Sequence, residues 1–394
     1  MFDALTAAPA DKILGLMALY REDPRANKLD LGVGVYKDEK GATTIMQAVK
    51  LAEKRLYDSQ ATKTYVSPAG DAAFNSLMIG LVFGKTDIDK DRLFACQTAG
   101  GSGALRTIAE LLKRARPNAT VHLSDPTWPN HGPVMHAAGL PTTTYPYFDA
   151  ESGTVRFDAM MEALRKAPEG DIILLHGCCH NPTGANLTIA QWAEIADVLV
   201  ARNLFPFVDL AYQGFGDGLQ EDAAGVRLLA SRVPEMTVAT SCSKNFSVYR
   251  DRVGAAILLG QNAGQTKIAG SQILSVTRSL YSMPPDHGAA AVRMVLEDAE
   301  LNAQWVNELE AMRLRMLRLR EGFADALRRQ SNSSRFDFIA QHRGMFSRLG
   351  LTSEQVDRLR EEHAIYMVGD SRFNVAGLPD NGLDDLAKAV VSVL

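Results

Sequence analysis

The stretch Ser241-Cys242-Ser243-Lys244-Asn245-Phe246 decides how the rest of the chain is interpreted. Its lysine follows the apolar, β-branched run 236–240, which predicts a buried strand. A lysine at the end of such a strand is unusual, because lysine is rarely buried unless it is paired. Burial lowers the pKa of a lysine toward a neutral, nucleophilic amine, so Lys244 is a candidate for attack on a carbonyl carbon. The competing interpretation is a lysine that extends its ammonium group to water.

Length and composition describe an ordinary globular chain. Its 394 residues, 46% hydrophobic and 22% charged, are enough for a large core. The net charge of −4 gives no electrostatic argument for nucleic acid or an anionic membrane as partner. Neither a secretory signal nor a membrane-spanning stretch is visible, and the four cysteines are interpreted as reduced thiols. A cytoplasmic location is therefore predicted.

Strands and helices alternate from residue 92 onward. Short apolar runs that predict strands lie at 93–96, 120–123, 172–175, 205–210 and 236–240. The alternation predicts an α/β fold, with a mainly parallel sheet flanked by helices. Ligands bind such sheets beyond the carboxyl ends of the strands. Polar residues fall at those ends: Ser102, residues 125–128, Asn181, Asp209 and Lys244.

The two ends of the chain predict a second, smaller α+β domain. A long charged helix is expected at 301–329, followed by helices mixed with short strands at Ile339 and at 345–347. We expect the small domain to close over the site. The predicted boundaries are 45–310 for the large domain, and 1–44 with 311–394 for the small one.

The run Gly100-Gly101-Ser102-Gly103 lies between a predicted strand and a helix expected from Ala104. Backbone N–H groups at a helix N-terminus, together with the Ser102 hydroxyl, can bind an anion. One alternative is an ordinary turn between strand and helix. A dinucleotide fingerprint is disfavoured, because Arg106 occupies the place of its last glycine.

Asp209 ends a strand rich in Phe, Val and Leu, where a buried carboxylate needs a partner. The protonated ring nitrogen of a cofactor is one such partner, and Tyr212 can then reach a hydroxyl of the same ring. The competing interpretation is an Asp that caps a helix.

The segment His176-Gly177-Cys178-Cys179-His180 invites a zinc or thiol-nucleophile interpretation. Side chains so close in sequence are expected to point in conflicting directions, and no second C-x-x-C pair exists, so no metal site is predicted. A cysteine nucleophile has no evident orienting partner.

In combination, these motifs resemble the class I, fold-type I pyridoxal-phosphate aminotransferases of the aspartate and aromatic amino acid subgroup. The resemblance covers essentially the whole chain, and the motifs fall in the family's order. They are Ser124-Asp125-Pro126-Thr127-Trp128-Pro129-Asn130-His131, residues 176–184, Asp209-Leu210-Ala211-Tyr212-Gln213-Gly214-Phe215, residues 241–244 and Ser371-Arg372-Phe373-Asn374-Val375-Ala376-Gly377.

The resemblance implies that pyridoxal 5'-phosphate is bound to Lys244 as a Schiff base, and that Lys244 then transfers the proton. Asp209, held by His131, is implied to pair with the ring nitrogen, while Tyr212 and Asn181 bond the ring oxygen. Lys244, Asp209 and Tyr212 form the implied catalytic group. The other implied cofactor-binding residues are Trp128 on the ring face, with Gly101, Ser102, Ser241, Ser243, Arg252 and the neighbouring subunit's Tyr65 at the phosphate.

For the substrate, the resemblance implies that Arg372 binds the α-carboxylate through a bidentate fork. Arg278 is implied to meet a distal carboxylate across a homodimer whose subunits share their active sites. Gly34 lies in the segment that covers the substrate, and Trp128 and Asn181 complete the implied substrate-binding set.

Two departures from the commonest aspartate pattern favour a dual specificity. Ser102 stands where threonine is frequent, and Met283 stands where a polar residue is usual. The expected reaction transfers the amino group of an aromatic amino acid or aspartate to 2-oxoglutarate, giving glutamate and the matching 2-oxo acid. The alternatives are a strict aspartate aminotransferase, a decarboxylase or lyase of the same fold, a nicotinamide dehydrogenase, and a non-catalytic binding module.

Overall fold

The structure is a computed structural model that describes residues 1–7 and 12–394. The strands are β1 (Leu29–Asp30), β2 (Leu93–Ala99), β3 (Val121–Asp125), β4 (Thr142–Pro146), β5 (Phe148–Asp149), β6 (Thr154–Val155), β7 (Ile172–His176), β8 (Phe205–Leu210), β9 (Met236–Ser241), β10 (Val253–Leu259), β11 (Phe346–Arg348), β12 (Ile365–Tyr366) and β13 (Arg372–Asn374). The α-helices are α1 (Lys12–Glu22), α2 (Gln47–Ser59), α3 (Ala72–Phe83), α4 (Gly100–Ala115), α5 (His131–Ala137), α6 (Phe157–Lys166), α7 (Ile189–Ala201), α8 (Ala224–Arg232), α9 (Ala263–Leu280), α10 (His287–Glu297), α11 (Ala299–Ser331), α12 (Phe338–Gln341), α13 (Ser353–His363) and α14 (Leu383–Ser392).

A seven-stranded sheet forms the centre of the described part of the chain. Its order is β2-β10-β9-β8-β7-β3-β4, and all neighbours are parallel except β10, which is antiparallel to both β2 and β9. Helices cover the sheet, so its inner strands are buried on both faces and consist of nearly continuous apolar runs. The predicted α/β fold with a mainly parallel sheet is confirmed.

Three local predictions differ from the structure. The helix after β2 begins at Gly100 rather than at Ala104, so the glycines form its first turn, where the N–H groups have no partner within the helix. Ile339 lies in helix α12, where it packs into the core, and not in a strand. Strands β4 and β10 were not predicted, and β10 completes the sheet between β2 and β9.

Segments from the two ends of the chain pack together beside the site. Strand β1 pairs in parallel with β12, and β11 pairs antiparallel with β13, which begins at Arg372. The N-terminus of the long helix α11 is capped by the Asp298 carboxylate. These pairings support the small domain, whose boundaries stay a proposal; its residues 8–11 lie outside the described residues.

Candidate active site

A cavity of about 250 Å³ lies at the carboxyl ends of β8 and β9 and the N-terminus of α4. Strand ends and a helix start meet here because the parallel strands all run toward this edge. The predicted residues that line the cavity are Gly34, Gly101, Ser102, Trp128, Asn181, Asp209, Tyr212, Ser241, Ser243, Lys244, Arg252 and Arg372.

Three predicted site residues lie outside this cavity. His131 is fully buried one layer behind Asp209. Tyr65 is 89% exposed, and Arg278 is also exposed near the end of α9. A single chain therefore does not bring Tyr65 and Arg278 to its own cavity wall.

Lys244 follows β9 and faces the cavity, with its Nζ 4.5 Å from the centroid of the Tyr212 ring. Burial lowers the pKa of Lys244 to about 8. The carboxylate of Asp209 opposes this shift, and the guanidinium of Arg252 adds to it. The position therefore favours a neutral amine far more than a solvated lysine does, which argues against a side chain that reaches bulk water.

Asp209 lies within β8, so it does not cap a helix. Its Oδ2 is 2.9 Å from His131 Nε2, and the Thr127 hydroxyl lies 2.7 Å from His131 Nδ1 on the other side of that ring. Burial alone would raise the pKa of Asp209, but the bond from His131 and nearby positive charges outweigh it, so this pKa is below its usual value. The aspartate is therefore held ionised at the cavity wall.

Ser241, Ser243, Arg252 and the first turn of α4 line one side of the cavity. We call this group of residues the phosphate cradle. Gly100 has φ +72°, a conformation that favours glycine, and a Cβ at Gly101 would lie 2.9 Å from the Cβ of Ser241, so this close approach favours glycine at both positions. Arg252 Nη1 donates to the Tyr249 carbonyl at 2.9 Å. Free N–H groups, hydroxyls and a guanidinium thus converge at a helix N-terminus, which is an anion site.

Arg372 starts β13 and is buried against the ring of Phe346, with its guanidinium carbon 4.5 Å from the ring centroid. Its Nη2 donates to the Gly32 carbonyl at 3.1 Å, and its Nη1 lies 3.5 Å from Asn181 Oδ1. Its buried Nε has no hydrogen-bond partner within the described residues. Since a buried donor without a partner is costly, this guanidinium is suited to a carboxylate ligand.

Tyr212 and Asn181 meet on one side of the cavity. Asn181 Nδ2 donates to the Tyr212 hydroxyl at 3.4 Å. Burial raises the pKa of Tyr212, so its hydroxyl stays protonated and can donate to an acceptor in the cavity.

Several cavity residues were missed by the sequence analysis. Leu105 lies one helical turn after Ser102, a spacing that could have indicated it. No local signal pointed to Phe346, which reaches the site only because β11 pairs with β13. The lining residues not predicted are Ile13, Leu105, His176, Cys178, Ala211, Tyr249 and Phe346.

The expectation that Cys178 and Cys179 point in conflicting directions is wrong. Their sulfur atoms and a carboxylate oxygen of Asp222 all lie within 4.8 Å of one another. Cys179 has φ +49°, a left-handed conformation that removes the usual alternation of neighbouring side chains.

The residues around the cavity fit pyridoxal phosphate. Ser241, Ser243, Arg252 and the first turn of α4 would hold its phosphate, and the ionised Asp209 would face its ring nitrogen. The first N–H groups of α4 have no partner within the helix, so they are available to this anion.

Fold and site together define a pyridoxal-phosphate-dependent transferase. The chain belongs to the aminotransferase class I and II family, whose match spans residues 26–390. It is 53% identical, over the full length of both chains, to an aromatic-amino-acid aminotransferase from Paracoccus denitrificans. It is 44% identical, again over both full lengths, to an aspartate aminotransferase from Escherichia coli K12.

A solved structure extends the similarity to three dimensions. It is an aromatic-amino-acid aminotransferase from Burkholderia pseudomallei covalently bound to pyridoxal phosphate, with a TM-score of 0.97 and 43% identity, and the match covers 100% of this chain and 99% of the other. The chain is therefore an aminotransferase that depends on pyridoxal phosphate. None of its described helices has the length and apolar character needed to cross a membrane.

Proposed function

We propose that this aminotransferase takes the amino group from aromatic amino acids and from aspartate, and passes it to 2-oxoglutarate. The observation that carries the proposal is one cavity that holds the Lys244 amine, the Asp209 carboxylate and the Arg372 guanidinium. In this proposal, Lys244 and Asp209 bind the cofactor, and Arg372 binds the substrate.

The chain's own residues perform the proton transfer in this proposal. Bound pyridoxal phosphate supplies an electron sink that makes the C–H bond at the substrate α-carbon acidic. The Lys244 amine removes that proton, and base catalysis by a positioned group is worth about 10²- to 10⁴-fold. Asp209, bonded to His131, would keep the cofactor's ring nitrogen protonated, and the protonated Tyr212 hydroxyl would donate to the ring oxygen.

Substrate orientation follows from Arg372. Its planar fork matches a carboxylate, and its buried Nε has no other partner among the described residues. Phe346 packs on the guanidinium and holds it in place. An α-carboxylate bound here would hold the amino acid in the cavity that Lys244 also lines.

Apolar walls support the aromatic part of the proposal. Ile13, Leu105, Trp128 and Phe346 line the same cavity as Arg372 and give an aromatic ring apolar contacts. The relatives at 53% and 48% identity are named aromatic-amino-acid aminotransferases, and one at 46% is named an aspartate aminotransferase. A strict aspartate enzyme is the second candidate, which the relatives named aspartate aminotransferases favour.

Kinetics with three amino donors tests the specificity. We expect aspartate, tyrosine and phenylalanine, each with 2-oxoglutarate, to give kcat/KM values within about two orders of magnitude of one another. Aromatic donors without turnover beside an efficient aspartate reaction would leave only the strict aspartate enzyme.

Replacing the lysine tests the chemistry. Lys244→Ala should remove both the absorbance band of the lysine-bound cofactor and transamination, because no other described lysine lines the cavity. Tyr57→Phe, at a side chain that is 88% exposed, is the control and should keep both. Full activity of the Lys244→Ala protein would refute the assigned role.

We further propose a homodimer and a cytoplasmic location. The exposure of Tyr65 and Arg278 supports a neighbouring subunit as the place where they act. The four cysteines are free and buried, which is compatible with a reducing compartment.

A further inference from the structure

The adjacent thiols of Cys178 and Cys179 form a pair that the proposed reaction does not use. Both cysteines are free and buried, and their sulfur atoms lie within 4.8 Å of each other and of an Asp222 oxygen. The left-handed backbone at Cys179 turns the two side chains to the same side. Two thiols this close on adjacent residues can bind the same atom.

The pair lies between two cavities. Cys178 lines the active-site cavity and also a second cavity of about 220 Å³. The second cavity is bordered by Trp192, Glu221 and Asp222. Cys178 is 8% exposed and Cys179 is 2% exposed, so a small molecule would reach Cys178 first.

We propose that Cys178 and Cys179 form a dithiol site that captures trivalent arsenicals. In the capture step both S–H bonds break and two As–S bonds form, while the oxygen of an As=O group, or two As–OH oxygens, leaves as water with the two thiol protons. No electron is transferred, so the step needs no oxidant or reductant. A chelate forms because one arsenic atom binds both neighbouring sulfurs.

The same geometry is less suited to a divalent cation. Such an ion needs deprotonated sulfurs, whereas the bond with Cys179 and burial raise the pKa of Cys178, and burial raises the pKa of Cys179. The Asp222 oxygens already accept the N–H groups of Gly214, Gly216 and Asp217. An arsenical that exchanges water for neutral thiols avoids both costs.

Capture should stop transamination, because the pair is joined to the catalytic residues. Gly177, next to Cys178, donates its N–H to the Asp209 carbonyl at 2.8 Å. The Cys179 sulfur lies 3.9 Å from the Tyr212 carbonyl. An arsenic atom bound to both sulfurs also occupies space at the wall of the active-site cavity.

Phenylarsine oxide added to the holoenzyme tests the proposal. Intact mass spectrometry should find one phenylarsenic group per chain, with two hydrogens lost, and activity should fall as the adduct forms. A dithiol should remove the adduct and restore activity, whereas a monothiol at the same thiol concentration should not. Cys178→Ser and Cys179→Ser should each lose the adduct; Cys96→Ser and Cys242→Ser, which keep the pair, should retain it.

A labelling experiment on the unmutated protein keeps the test independent of how the variants fold. After treatment with phenylarsine oxide, the enzyme is denatured and its remaining thiols are alkylated. Protection should map to Cys178 and Cys179, while Cys96 and Cys242 are alkylated. Absence of an adduct on the folded holoenzyme, or protection at Cys96 or Cys242, would overturn the proposal.

Discussion

The reactivity of Lys244 is set by three neighbouring influences. Burial lowers its pKa from 10.5 to about 8, Asp209 raises it, and Arg252 lowers it. Burial has the largest effect on this pKa, because the charged amine loses hydration that one carboxylate does not replace. The amine is neutral in a growing fraction of molecules as pH rises through 8, and the neutral amine is the nucleophile.

This environment predicts how cofactor uptake depends on pH. The rate at which the cofactor-free protein binds pyridoxal phosphate covalently should rise with pH and level off above a midpoint near 8. Stopped-flow absorbance between pH 6 and pH 11 measures it. Asp209→Asn removes the charge that raises the pKa of Lys244, so its midpoint should fall. A midpoint near 10.5 in the unmutated protein would mean that Lys244 is solvated.

At the scale of elements, the segment 32–36 crosses the site and is held by side chains from distant parts of the chain. Arg372 donates to the Gly32 carbonyl, and Asn374 Nδ2 donates to the Val33 and Val35 carbonyls at 2.8 and 2.7 Å. The hydroxyl of Tyr249 accepts the Tyr36 N–H at 2.9 Å. The same Tyr249 accepts a bond from Arg252 at its carbonyl, so it connects this covering segment to the phosphate cradle.

Tyr249→Phe should weaken the covering segment without disturbing the cradle, because the backbone carbonyl that binds Arg252 remains. Losing one hydrogen bond of about 1 kcal/mol predicts an approximately fivefold rise in KM for the amino donor, with kcat and cofactor affinity nearly unchanged. Steady-state kinetics and a cofactor titration measure these quantities, with Tyr57→Phe as the matched exposed control. Weakened cofactor binding at an unchanged KM would instead mean that the Tyr249 hydroxyl contributes to phosphate binding.

The strand ends of the site could be predicted because local pattern and polarity coincide there. Lys244 and Asp209 each follow an apolar run, and parallel strands deliver such ends to one edge. Phe346 could not be predicted, since it depends on a pairing between β11 and β13. The position of β10 could not be predicted, since it follows β9 in the chain but lies between β9 and β2 in the sheet. The local periodicity of a sequence does not show which distant strands pair with each other.

At the scale of the whole molecule, two exposed segments are joined into one surface. The N–H of Val66, next to Tyr65, lies 3.0 Å from the sulfur of Met283, a few residues after Arg278. Gln97 Nε2 donates to the Pro285 carbonyl at 2.7 Å, which fixes the second segment to strand β2. Tyr65 and Arg278 therefore lie on connected segments outside the chain's own cavity. Residues that act in a neighbouring subunit's cavity would be expected in such a position.

Mixing two inactive variants tests whether the subunits share their sites. Lys244→Ala removes the amine from its own cavity, while Arg278→Ala removes the distal-carboxylate ligand from the partner's cavity. In a mixed dimer, the cavity that keeps Lys244 receives Arg278 from the other chain, so one of its two sites is complete. Refolding both variants together at equal concentration makes half of the dimers mixed, which should restore about a quarter of the wild-type aspartate activity. If Arg278 served its own chain, the mixture would stay as inactive as its components, and the shared site would have to be abandoned.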